Sequence, residues 1–224
     1  MEGWKRETRQ RVVAVEARDV QGYIPKPVGD LAVLLGPYGD QDEVIFGAGQ
    51  GRAFAVDDHD LPLHDAGDTS RTPRGWVFDA GGLVPSLAWA PQSASGPQYL
   101  ALCVVPHSDQ DYPNTAEREA HKGSRRQGTI QLWKLAGSKR EAGEMVPSTE
   151  PPALVRTLCL DWGRARRVAW CPVASVDDSV LGLLAILTGD GRVRVLEIPR
   201  PADEERGAYG RCSINISARS HKRV

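Results

Sequence analysis

The chain has 224 residues and a formal net charge of -1; 41% of its residues are hydrophobic and 25% charged, enough for one or two ordinary domains with a sizeable core. A total charge so close to zero gives no whole-chain attraction to nucleic acid or an anionic membrane, and no apolar stretch approaches the ~20 residues that span a bilayer. Met1–Arg6 leads into charge rather than an apolar run, so no secretory signal is read.

In chain order, Trp4 to Val20 comes first, rich in Arg and Glu around a β-branched centre, Arg11-Val12-Val13-Ala14-Val15-Glu16, where helix and strand compete. Tyr23-Ile24-Pro25-Lys26-Pro27 follows as an extended connector, so residues 1–29 form an N-terminal extension. Residues 30–224 read as short apolar runs bounded by Gly, Pro, Asp or Asn, the marks of strands and turns. The predicted strands are Leu31–Leu35, Glu43–Phe46, Arg52–Val56, Trp76–Asp79, Val84–Trp89, Tyr99–Val105 and Thr129–Trp133. A later set comprises Val155–Leu160, Val168–Trp170, Leu183–Leu187 and Val193–Ile198. Inserted loops are expected at 57–73, 108–127 and 137–152. With 16 prolines and 23 glycines, an all-β architecture follows. The four cysteines, Cys103, Cys159, Cys171 and Cys212, contain no Cys-x-x-Cys pair. Cys103, Cys159 and Cys171 sit in or beside apolar runs, as small buried hydrophobes do. An intracellular chain with reduced thiols is expected.

An internal repeat organises these strands. Phe78-Asp79-Ala80-Gly81-Gly82 leads to a strand ending Ala88-Trp89-Ala90-Pro91. Leu160-Asp161-Trp162-Gly163-Arg164 leads to one ending Ala169-Trp170-Cys171-Pro172. After each comes a polar stretch, then an apolar strand, Tyr99–Cys103 or Leu183–Thr188. A Gly-bearing turn and an alternating strand close each unit, Gly128–Trp133 or Gly189–Leu196. Such a unit matches a propeller blade, four antiparallel strands whose middle members are buried between neighbours. The Asp190-Gly191 turn suits a tight hairpin with positive φ, and the proline after Trp-x ends the first strand. The blade anchors are therefore Trp89, Pro91, Trp133, Trp170, Pro172, Asp190 and Gly191.

The grammar resembles that of WD-repeat proteins, with departures. The expected Gly-His is replaced by Gly81-Gly82 and Trp162-Gly163, and the closing Trp-Asp by Trp133-Lys134 and Leu196-Glu197; Gln127 stands near the place that Asp190 fills in the second unit. Blades of ~40–45 residues leave two clear blades, a third from Leu31 to Val56 and the opening of another after Gly207. The expectation is an incomplete WD-repeat β-propeller from a partial chain.

Several segments resemble one family more closely: Tyr23-Ile24-Pro25, Leu31–Pro37, Gln41–Phe46, Gly75–Gly82 and Val105–Gln110. In this order they are similar to the WD-repeat subunit of fungal transcription factor IIIC (TFIIIC), over roughly residues 4 to 135. The resemblance implies a nuclear, non-catalytic scaffold that docks other TFIIIC subunits, especially the large B-box-binding subunit. It also implies support of RNA polymerase III initiation at transfer-RNA genes. A WD-repeat adaptor of an unrelated intracellular complex is the alternative.

No catalytic, cofactor or metal site is read. Gly47-Ala48-Gly49-Gln50-Gly51 lacks dinucleotide-loop spacing and precedes a strand. Asp57-Asp58-His59-Asp60 with His64-Asp65 reads as an acidic loop rather than a metal site, and the adjacency of His107-Ser108-Asp109 is not triad geometry. The candidate phosphate contacts are Arg164, Arg166 and Arg167, on the turn entering the second unit. With no recognition helix evident, any DNA contact is expected to be indirect or non-specific. No membrane partner is expected.

Overall fold

A computed structural model describes residues 10–20, 23–24, 29–35, 39, 41–47, 49–54, 75–91, 96–106, 128–139, 145–148, 150–173, 175–202 and 207–212. Short apolar runs broken by Gly and Pro cannot build helices of useful length, and the described residues form strands with one short 3-10 turn, Ala17–Val20. The chain is all-β. The strands are β1 (Gln10–Arg11), β2 (Val13–Val15), β3 (Leu31–Leu35), β4 (Asp42–Phe46), β5 (Gly51–Phe54), β6 (Gly75–Phe78), β7 (Gly82–Trp89) and β8 (Gln98–Pro106). They continue as β9 (Gly128–Leu135), β10 (Gly137–Lys139), β11 (Met145–Pro147), β12 (Ala153–Leu160), β13 (Ala165–Trp170), β14 (Val180–Thr188), β15 (Val193–Pro199) and β16 (Ala208–Cys212).

Two sheets dominate. The larger has the order β2-β16-β12-β9-β8-β7 and the smaller β1-β15-β14-β13. Within the larger, β7, β8, β9 and β12 form an antiparallel meander; β13, β14 and β15 form the corresponding meander in the smaller. The repeat read in the sequence is thus a repeat of strand order. It extends to single hydrogen bonds: Ala90 N donates to Tyr99 O at 2.9 Å, and Cys171 N to Leu183 O at 2.8 Å. Each bond lengthens its ladder by one residue beyond the tryptophan. No ring of sheets closes among the described residues.

Strand alternation gives each sheet two faces. One face of the larger sheet carries Ala101, Cys103, Ile130, Leu132 and Leu158; one face of the smaller carries Leu184, Ile186, Leu196 and Ile198. These two faces meet and form the main core, in which all nine side chains are essentially inaccessible. Burying each of the larger aliphatic ones stabilises the fold by about 1.5–3 kcal/mol before entropy is counted. Polar bonds join the sheets: Val168 N donates to Ser86 Oγ at 3.2 Å, Trp170 Nε1 to Ala88 O at 3.0 Å, and Arg156 Nη1 to Pro199 O at 3.1 Å. Behind β7–β9 lies a smaller cluster of Leu100, Leu102, Val104 and Trp133, covered in part by Phe78 and Ala80.

Four features differ from the expectation. Residues 10–15, read as part of an extension, join both sheets: β1 runs parallel to β15 and β2 antiparallel to β16. The β-branched centre resolves as strand because two sheet edges are there to receive it. After Gly207 the described residues form β16, which lies parallel to β12 inside the larger sheet rather than as the first strand of a separate unit. The segment 137–152 contains a hairpin, β10–β11, with Gly137 opposite Pro147. Leu31 to Val56 does not form one four-stranded unit. Strands β3–β4 and β5–β6 are separate two-stranded sheets, and Gly49 N bonds Asp79 O, so the 47–50 turn serves the second pair.

Candidate functional site: repeated polar junctions and open sheet faces

The third strand of each meander carries a long, buried polar side chain at the same register. Gln131 lies opposite Leu102 and Arg194 opposite Ile186. Both are buried, at 5% and 7% exposure, and a buried polar group must find partners. Gln131 Nε2 donates to Ala80 O at 2.9 Å, and Gln131 Oε1 accepts from Trp133 Nε1 at 2.9 Å. Arg194 lies with its guanidinium 4.8 Å from the centre of the Trp162 ring, a cation–π distance. Ala80 and Trp162 are themselves equivalent in the repeat, each following the aspartate just past the preceding strand and preceding a glycine at positive φ, Gly81 (76°) and Gly163 (96°). One device therefore recurs: a long polar side chain on the third strand pins the connection leading into its own sheet.

In the second unit the device is ionic. Arg194 Nη2 donates to Asp190 Oδ2 at 2.6 Å and Nη1 to Asp190 Oδ1 at 3.0 Å, a bidentate pair. Nη1 also donates to Thr188 Oγ1, and Thr188 Oγ1 donates to Asp190 Oδ1 at 2.6 Å. Hydrogen bonds from Arg194 first, then Thr188, hold the Asp190 carboxyl far below the ordinary carboxylate range. Gly191 takes φ 77° to close the turn. Trp162 is 1% exposed, and its Nε1 has no hydrogen-bond partner among the described residues.

The anchors named from the sequence are placed as follows. Trp133 is buried, with Phe78 tilted against it at a centroid distance of 4.4 Å. Trp170 is half-buried, bonded to Ala88 O, and a Cβ on Gly182 would lie 3.2 Å from its ring and 3.8 Å from Pro91. The first unit's Pro91 and the second unit's Trp170 therefore share one contact zone. Pro172 is exposed, and Trp89 is 50% exposed. Asp190 and Gly191 belong to the ionic junction. The three arginines differ in exposure: Arg164 is half-buried in the connection, while Arg166 and Arg167 are exposed on β13. A bulge between Ala165 and Arg167 leaves both neighbouring arginines in solvent.

Gln131, Arg194, Thr188 and Trp162 were not singled out from the sequence. The available signal was a long polar residue, Gln131 or Arg194, flanked on both sides by aliphatic residues at the same place in the two third strands. Cys103 and Cys212 are fully buried, and burial pushes both thiols up to about 12; Cys159 is also fully buried and Cys171 half-buried. All four are free. The acidic loop 57–65 and His107-Ser108-Asp109 lie outside the described residues. Among the described residues no group of three or more His, Cys, Asp or Glu could hold a metal ion, and no helix is long and apolar enough to cross a membrane.

What the described residues define is an all-β protein of two stacked, repeated sheets whose ordered polar groups fasten turns and connections. No family model matches the chain. Over 126 residues, 56% of its length, it is 33% identical to transcription factor tau subunit sfc6 of Schizosaccharomyces pombe. The matched stretch is 19% of that protein, so the chain spans about a fifth of the length of the curated relative it matches.

Proposed function

We propose that the chain is a WD-repeat β-propeller portion of a TFIIIC subunit, a non-catalytic nuclear scaffold that supports RNA polymerase III initiation at transfer-RNA genes. Its partners are other subunits of the factor, in particular the large B-box-binding subunit. The observation that carries this reading is the 33% identity over 126 residues to a transcription factor tau subunit. The repeated sheets support it: stacked units that bury one another leave loops and outer faces for partner contact, as in repeat proteins generally. Tagged chain added to nuclear extract of its own organism is expected to recover other TFIIIC subunits. Recovery of a different complex by the folded chain would favour an unrelated WD-repeat adaptor and overturn this reading.

The same reading includes a subsidiary contact with DNA phosphates through Arg164, Arg166 and Arg167. Exposure of Arg166 and Arg167 supports it, and Arg164 contributes less because it is half-buried. Binding to duplex DNA in a filter assay should weaken with salt. The Arg166→Ala/Arg167→Ala double variant should reduce the salt slope by about 2, one for each phosphate that an arginine no longer neutralises. An unchanged slope removes the DNA contact from the reading.

A further inference from the structure

Both sheets hold the segment that runs from Gln10 to Tyr23. Gln10 and Arg11 pair with β15 of the smaller sheet. Val13 to Val15 pair with β16 of the larger. Between these two stretches, Val12 packs against the main core. The chain then turns at Ala17–Val20 and places Val20 and Tyr23 against Cys159. Leu158 belongs to the main core, whereas its neighbour on β12, Cys159, belongs to the cluster of Val20 and Tyr23. Successive strand residues point to opposite faces. The segment therefore starts on one face of the larger sheet, wraps round its edge and ends on the other.

Its side-chain anchors are few and specific. Val12 seats over Gly210, where a Cβ would lie 2.4 Å from Val12 Cγ1, so glycine leaves the room that the valine fills. Val20 and Tyr23 are buried, and Tyr23 Oη donates to Asp161 Oδ1, just past the end of β12. The backbone hold is slight by comparison. β1 and β2 are two and three residues long, against nine in β14 and seven in β15. β1 is parallel to its partner, the weaker arrangement per residue. Val13 and Ala14 face solvent. A segment with short ladders and few buried contacts opens at a lower free energy than the sheets beneath it.

We propose that this segment is a releasable strap: it opens as one unit while both sheets stay folded, with the Tyr23–Asp161 hydrogen bond as its latch and Gly210 as the socket that seats it. Closed, the strap ties the two sheets together at β15 and β16. It also covers two strand edges, whose backbone groups would otherwise template pairing with another chain. Open, it frees both edges and uncovers the socket over Gly210. The strap is thus the device that sets whether these edges are available. The inference rests on the contacts of residues 10–23 and is independent of the transcription-factor reading.

The test is native-state hydrogen exchange of the full chain at rising, sub-denaturing urea. Amides of residues 10–15 are expected to exchange as a group, through an opening that urea barely changes because it exposes little surface. Amides of β14 are expected to exchange more slowly and to follow urea steeply. Tyr23→Phe keeps the ring and removes the donor, and should speed strap exchange about fivefold, the weight of one hydrogen bond. Gly210→Ala fills the socket and should also speed it. Adding Val12→Ala to Gly210→Ala should give less than the product of the two separate effects, because removing the valine methyls relieves the collision. Strap amides that share the rate and urea dependence of β14 overturn the proposal. So do strap rates unchanged by Tyr23→Phe, or fully multiplicative effects at Val12 and Gly210.

Discussion

At the scale of single residues, Asp190 carries the most consequence. Its carboxylate is the counter-ion of an arginine that is 7% exposed, while its own side chain is a quarter exposed at 25%. Removing it leaves Arg194 buried with its main ion-pair partner gone. Asp190→Ala is expected to lower unfolding stability by about 1.5–3 kcal/mol, the range for hydrogen bonds to charged groups, read by urea denaturation. The pH dependence has a definite sign. The folded carboxyl titrates below its unfolded value, so the stabilisation is present above the unfolded carboxylate pKa of about 3.9 and is lost as pH falls from there towards the folded value. Asp190→Asn should flatten the acid limb of the stability curve in that window and leave its neutral-to-alkaline slope unchanged. An acid limb as steep as wild type would show that the ionic junction does not form.

At the scale of elements, the glycines divide by cause. Gly191 closes the β14–β15 turn at φ 77°, and a Cβ there would meet nothing within 4 Å. Gly128 opens β9, where a Cβ would lie 2.5 Å from Arg164 Cα and 2.6 Å from Gly163 O. The first is a conformational requirement, worth about 1–2 kcal/mol for an L-residue in the left-handed region. The second is a collision with backbone that only strand displacement relieves, and overpacking of that kind costs about 1–3 kcal/mol or more. Gly191→Ala should therefore destabilise without shifting the amide spectrum beyond its turn. Gly128→Ala should also perturb residues 163–164. Equal, purely local spectral changes would contradict this division. The turn glycine was legible from Asp190-Gly191 alone. The crowding at Gly128 was not, because it depends on a connection about 35 residues further along the chain.

At the scale of the whole molecule, stability resides where the sheets meet. Ile186 is 0% exposed in the main core, and Val193, at the start of the next strand, is 67% exposed. Ile186→Ala should cost about 2–5 kcal/mol, the range for truncating a buried aliphatic side chain. Val193→Ala should stay within about 0.5 kcal/mol. Comparable destabilisation at the two sites, measured in urea, would mean that the back of the smaller sheet is covered within one chain.

The sequence by itself determined the all-β class, the two repeated units and the chemistry of their turns. These follow from local rules: short apolar runs, Trp-x-Pro strand ends and an Asp-Gly turn constrain the backbone within a few residues. Only the tertiary structure decided which copy of each repeated face is buried. Ile130 and Val193 occupy the same register in similar strands, and no local pattern distinguishes them. The difference is that a second sheet lies against one and not the other. Tertiary structure also placed Val13–Val15 and Ala208–Cys212 side by side at the edge of the larger sheet. A short strand pairs with whichever edge long-range packing leaves open, and that information is spread across the chain rather than held in the strand.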